Sequence, residues 1–354
     1  MSDSDAWPAL DYEGWKDTLA TVHRWTQIVG KVRLERTPWI NHSWHVPLYL
    51  TARGLGTSPI PAEDRVFEMD FDFVRHSLDI TVSDGGQASV PLVPRSVADF
   101  YGEVMGQLDA LGVPTSIHTT PSEIPDGTPF ELDREHNAYD PDAVHRFWRV
   151  LASLHRVFQR FRARYVGKSS PVHFFWGSFD LAVTRFSGRS APEHPAGIPA
   201  LPDWVAREAY SHEVSSLGFW PGGEQFPHPI LYAYAYPTPE GFDQAAPRPE
   251  GTTWSTDLGE YVLPYEVVRS APDPEAAILD FAQDTYVAAA DLAGWDRAAL
   301  EWPDGAQGPR AFCEVLALNL TQELENSEEY EVTLKPTYYE ETGSLVEPDW
   351  HEVA

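Results

Sequence analysis

Period-two alternation comes in consecutive runs in this chain, and the helical patterns flank those runs rather than separating each strand from the next. Arg65–Val74 and Ser77–Val82 alternate apolar and polar residues, and Ser83-Asp-Gly-Gly-Gln87 supplies a hairpin turn. Further strands are expected at Lys31–Arg36, at His45–Arg53 past Pro47, at Val172–Phe179 and Leu181–Phe186, at Glu213–Phe219, at Ile230–Tyr236 and at Tyr261–Val268. Of these, ILYAYAY at Ile230–Tyr236 alternates strictly. Runs of strands without a regular βαβ rhythm imply an α+β fold of antiparallel sheets packed with helices.

Helical spacing places Trp15, Leu19, Val22, Trp25 and Val29 on one helix from Asp11, stopped by Gly30. Ser96 caps a second helix over Val97–Leu111, closed by Gly112 and Pro114. Pro141 opens the longest, reaching about Tyr165, with an apolar stripe through Phe147, Leu151, Leu154, Phe158 and Phe161. A fourth covers Asp273–Ala293, before Gly294. The phrases Val90-Pro-Leu-Val-Pro-Arg-Ser96 and Val262-Leu-Pro-Tyr-Glu-Val267 suggest an internal duplication of a strands-then-helix unit. The resulting division is a flexible start (1–10), a first β-rich half with its helix (11–113), a surface connection (114–140) and a second half (141–300). One integrated domain over 11–320 is expected, with an acidic tail at 321–354.

Charge narrows the partners. Of 354 residues, 54 are acidic and 25 basic, and Lys16, Lys31, Lys168 and Lys335 are the only lysines, so the net charge of −29 repels phosphate backbones and anionic lipid. Cys313 stands alone, which excludes an internal disulfide and a thiolate metal cage. With no basic-then-apolar leader and no apolar run of membrane-spanning length, the expectation is a soluble, cytoplasmic protein. Dinucleotide, P-loop, zincin and esterase motifs are absent.

Chemistry concentrates in two stretches, PVHFFWGSFDLAVTRFSGR (Pro171–Arg189) and YSHEVSSLGFWPGG (Tyr210–Gly223). His173, amid aromatics, reads as a neutral imidazole suited to metal ligation or general-base work, or as a satisfied core histidine. His212 followed by Glu213 has the residue types of a base and its orienting carboxylate. His42 and His45 could ligate jointly only across a bulge or turn, since three residues apart on a strand they face opposite sides. Arg185, and Arg53 among glycines, are candidate anion clamps, their alternative being ion pairs with the abundant carboxylates. Trp176, Phe219 and Trp220, with Trp39 and Trp44, are candidate pocket walls. The arginines of the 141–166 helix read as partners of the acidic surface or as a homo-oligomer contact.

The phrases Tyr49-x-Thr-x-Arg-Gly-Leu-x-Thr-x-Pro59, His173-Phe-Phe-Trp-Gly-Ser-Phe-Asp180, Thr184-Arg-Phe-Ser-Gly-Arg189 and His212-Glu-Val-x-Ser-x-Gly-Phe-Trp-Pro221 resemble a bacterial family classed as a domain of unknown function. The resemblance spans about Trp7 to Trp295 and implies a single-unit architecture but no mechanism. From the residues, the expectation is an enzyme acting on a small anionic, partly aromatic or apolar metabolite. His173, His212 and Glu213 form its catalytic set, or, with His42 and His45, a site for Zn²⁺, Fe²⁺ or Mn²⁺. Arg185 and Arg53 clamp the anion, and Trp176, Phe219 and Trp220 wall the pocket. The alternative is a binding module without catalysis.

Overall fold

The computed structural model describes residues 6–302, apart from Pro199 and Gln225. Its first helix, α1 (Tyr12–Arg36), continues past Gly30 and absorbs Lys31–Arg36, which alternation assigned to a strand. The reason is tertiary. A Cβ at Gly30 would overlap the indole of Trp176, so the glycine serves close packing rather than a helix end. Residues 6–10 are packed rather than flexible: Trp7 and Leu10 are buried, and the Tyr265 hydroxyl donates to the Pro8 carbonyl at 3.0 Å.

Six strands follow: β1 (Tyr49–Leu50), β2 (Gly54–Gly56), β3 (Ile60–Ala62), β4 (Arg65–Asp72), β5 (Ser77–Val82) and β6 (Gln87–Pro91). They pair antiparallel in the order β1-β2-β4-β5-β6, with β3 also on β4. The single strand expected over His45–Arg53 is cut short because the chain turns at Thr51, whose hydroxyl accepts the Gly54 N–H at 2.9 Å. Helix α2 (Val97–Ala110) is capped as expected, Ser96 Oγ accepting from the Asp99 N–H.

The 114–140 segment carries no helix or strand, yet it is not simply a surface connection. Phe130 and Asp133 are buried, and Asp133 holds Arg24 of α1 at 3.1 Å. Helix α3 (Pro141–Ala163) then leads into the second sheet, of β7 (His173–Phe175), β8 (Asp180–Ser190), β9 (His212–Trp220), β10 (Ile230–Tyr236), β11 (Thr253–Ser255) and β12 (Glu260–Pro264). Its order is β7-β8-β9-β10-β12-β11, antiparallel throughout. A short α4 (Asp203–Ala209) joins β8 to β9. The strand predicted to run to Val268 ends at Pro264, and α5 (Tyr265–Ser270), α6 (Pro274–Leu292) and α7 (Arg297–Leu300) follow.

The described residues thus form an α+β fold with seven α-helices and two six-stranded antiparallel sheets. All of them belong to one compact unit. The order helix, antiparallel strands, helix occurs twice, with α1 packed on α2 and α3 on α6. Leu48 and Phe174 exchange backbone hydrogen bonds of 2.9 and 2.8 Å, tying the segment before β1 to the β7 edge of the second sheet. On α3, Arg156 and Arg160 both close on Glu275 of α6, the ion-pair alternative for these arginines. None of the described helices is long and apolar enough to cross a membrane. The acidic tail and Cys313 lie outside the described residues.

Candidate functional site

Alternation gives the second sheet two unlike faces. Leu181 and Val183 of β8, Leu217 and Phe219 of β9, and Leu231, Ala233 and Ala235 of β10 belong to the core, where α3 and α6 cover the sheet. The alternate residues Asp180, Thr184, Ser216, Tyr232 and Tyr234 face a cavity of about 1040 Å³. Its remaining walls come from α1, the segment before β1, residues 118–123 and the stretch leading into α4. Trp39, Trp44, Trp176, Trp204 and Trp220 all line it, so much of its surface is aromatic.

The turn between β7 and β8 organises the floor. The Trp176 indole N–H donates to the Val46 carbonyl at 2.8 Å, which holds the ring against α1. Glu123 lies against Gly177, leaving no room for a Cβ there, and accepts from the Ser178 hydroxyl. The first residue of β8, Asp180, accepts from the Tyr232 hydroxyl. Tyr232 reaches it by lying across Gly218, the intervening residue of β9, where any Cβ would collide with the phenol ring. A hydroxyl ladder continues alongside, with Thr184 to Ser216 at 2.9 Å and Tyr210 to Tyr234 at 3.0 Å.

Burial shapes the charge of this floor. It raises the Asp180 carboxyl to about 7, although the Tyr232 hydrogen bond works the other way, and it raises Glu260 to about 8 with help from the Asp180 charge. Burial also pushes Glu123 upward. Lys31, desolvated on α1, falls to about 8, and donates to Ser122 Oγ at 3.1 Å. His173, 1% exposed, is lowered to about 3 by burial and stays neutral. Its Nδ1–H donates to the Ala182 carbonyl at 3.2 Å, while Nε2, its lone pair unshared, has no protein partner.

The model of a family of unknown function, DUF5996, matches residues 7–302, a span that contains every residue lining this cavity. The chain belongs to that family. No curated protein and no solved structure matches it. Membership in DUF5996 therefore brings no assigned chemistry, and the geometry must supply it.

In this DUF5996 chain the residues singled out from sequence part company. His173, Trp176 and Trp220 line the cavity. Phe219 points to the opposite face and packs in the core against Tyr265. Arg185 also points that way. It is fully buried against the rings of Phe161, Tyr286 and Tyr165, its Nη2 donating to the Phe161 carbonyl, and burial lowers it to about 10. Arg53 is held by Asp72 on the first sheet and does not line the cavity. Neither arginine can clamp an anion there.

His212 and Glu213 diverge as neighbours on a strand must: Glu213 pairs with Arg189 at 2.7 Å, away from the imidazole. His212 instead approaches His42, ring centroids 5.8 Å apart. His42 lies in a left-handed turn (φ 58°), donates from Nδ1 to the Ala209 carbonyl at 3.0 Å, and accepts at Nε2 from Lys168 at 3.1 Å. His45 turns away to bond the Ile40 backbone and pack at a tilt against Trp39. Among the described residues, no three His, Cys, Asp or Glu side chains converge closely enough to hold a metal ion, so the donor set proposed for Zn²⁺, Fe²⁺ or Mn²⁺ is not assembled.

Sequence reasoning missed Asp180, Glu123, Glu260, Tyr232, Tyr234 and Lys31. One signal was present. In ILYAYAY the three tyrosines share one face with Ile230 while Leu231, Ala233 and Ala235 take the other, and a sheet face bearing several phenols needs polar company. Glu123 had no such signal, since it arrives from a segment without regular structure.

Proposed function

We propose that the protein is an enzyme that encloses a small, mostly apolar molecule in this cavity and moves a proton to or from it through Asp180. The observation that carries the reading is the Tyr232–Asp180 pair on the cavity floor, a carboxyl that changes charge near pH 7 within reach of a bound molecule. A group that titrates near the working pH is the best general acid or base, because both of its protonation states are accessible. Tyr232 orients the carboxyl, and His173, a residue of the same lining, is too weakly basic to take the proton itself. The acidic, lysine-poor composition supports a small molecule as partner rather than nucleic acid or an anionic membrane.

A screen of metabolites for thermal stabilisation, followed by turnover assays of the stabilising compounds, tests this. Asp180→Asn should still bind ligand, weakened by no more than about tenfold, while losing about 100-fold or more in kcat, together with the pH–rate limb near 7. The second reading, a binding module without catalysis, draws on the tryptophan-rich walls. It is adopted if stabilising ligands are found and none is ever turned over.

A further inference from the structure

We infer that the ligand carries a basic nitrogen that docks on the acidic floor beside Asp180 and Glu260, with an apolar or aromatic body between Trp176 and Trp220. This rests on the cavity being a small-molecule site, and names the class of molecule it takes. Glu123, Asp180 and Glu260 face the cavity, whereas Lys31 is the sole lysine or arginine among its described lining residues. Lys31 stands on the α1 wall, bonded to Ser122 and 5.8 Å above the Trp176 ring. The arginines that could have made the site anion-binding are spent elsewhere, Arg185 in the core and Arg53 on Asp72.

Independently of the carboxylates, the lining residue His173 keeps a buried Nε2 acceptor with no partner in the protein. The acceptor-rich lining thus asks for donors, and an ammonium presents up to three. The walls ask for the rest: indoles favour a flat hydrocarbon body, and their faces attract cations. A neutral polyol would satisfy the acceptors but leave the tryptophans without apolar contact. A carboxylate would add a fourth acidic group to a floor that already holds three carboxyls.

Three probes of one skeleton separate these possibilities: phenethylamine, 2-phenylethanol and 3-phenylpropionate, each added at millimolar concentration to the full chain near pH 7.5. Thermal shift and titration calorimetry should rank the amine first, the alcohol weaker and the carboxylate without effect. Asp180→Asn should bring the amine down to the affinity of the alcohol, about a tenfold loss, and leave the alcohol unchanged. Should Asp180→Asn fail to fold, Glu260→Gln serves the same comparison. If the alcohol or the carboxylate binds as well as the amine, the basic nitrogen is wrong while the small-molecule cavity stands. If none of the three binds, the inference is overturned, and proton transfer by Asp180 still has its own test in the metabolite screen.

Discussion

Gly30, in the middle of α1, lies directly beneath the indole of Trp176, so closely that the helix can carry no Cβ at that point. The contact sets Trp176 as both core and cavity wall, because the same ring donates to the Val46 carbonyl and lines the site.

Gly30→Ala should therefore destabilise the protein by about 1–3 kcal/mol despite the better helix propensity of alanine, since overpacking outweighs it. Chemical denaturation would measure the loss. In a Trp176→Leu background the penalty should shrink, and an undiminished penalty would place the strain elsewhere.

Asp180 should make stability fall with rising pH. The folded chain keeps its proton to about 7, whereas an ordinary aspartate releases it near 3.8. Between those values the folded state binds more protons, so stability declines across that window and levels off above it. Glu260 acts in the same direction from 4.5 to about 8. His173 and His23, lowered by desolvation to about 3 and 4, act oppositely below 6.5. The comparison with Asp180→Asn isolates the carboxyl: melting points near pH 5 should be similar, and at pH 8 the variant should melt several degrees higher. Equal melting points at both pH values would mean that Asp180 is not desolvated.

Arg185, enclosed by Phe161, Tyr165 and Tyr286, should tolerate methionine far better than alanine. Methionine fills the space without a buried cation, while alanine leaves a void costing about 3 kcal/mol or more. Neither change should alter the thermal shift produced by any ligand of the cavity. A ligand response lost in Arg185→Met would return the residue to the binding site.

Arg156→Glu with Arg160→Glu breaks two ion pairs to Glu275 inside the chain, both partly exposed. The expected cost is about 1 kcal/mol, with the mass in solution unchanged by light scattering. A drop in mass would show that the α3 surface also holds subunits together.

Much of the architecture was legible because it depends on local period. Strict alternation in β5 and β10, the Ser96 cap and the stop at Gly294 specify their elements from neighbours in sequence. The errors fall where a distant residue decides. Gly30 is a helix stop by propensity and a packing contact in fact. Lys31–Arg36 alternates like a strand, yet it continues α1 because both faces of that last stretch find partners, Lys31 at Ser122, Arg33 at the Pro47 carbonyl and Arg36 at Thr115.

The candidate site divides along the same line. By itself the sequence determined the α+β class, the scarcity of cations and the concentration of chemistry around the HFFWGSFD turn. Strand period also requires that Phe219 and Trp220, like Arg185 and Thr184, face opposite ways, which the reading of Phe219 and Trp220 as walls of one pocket overlooked. Which face would meet the helices and which the cavity was decided only by tertiary structure. Period two distinguishes two faces without naming the partner of either, and that partner is supplied by α3, α6, α1 and residues 118–123, far away in the chain. Arg185 thus entered an aromatic core, and Asp180, five residues earlier, entered the cavity.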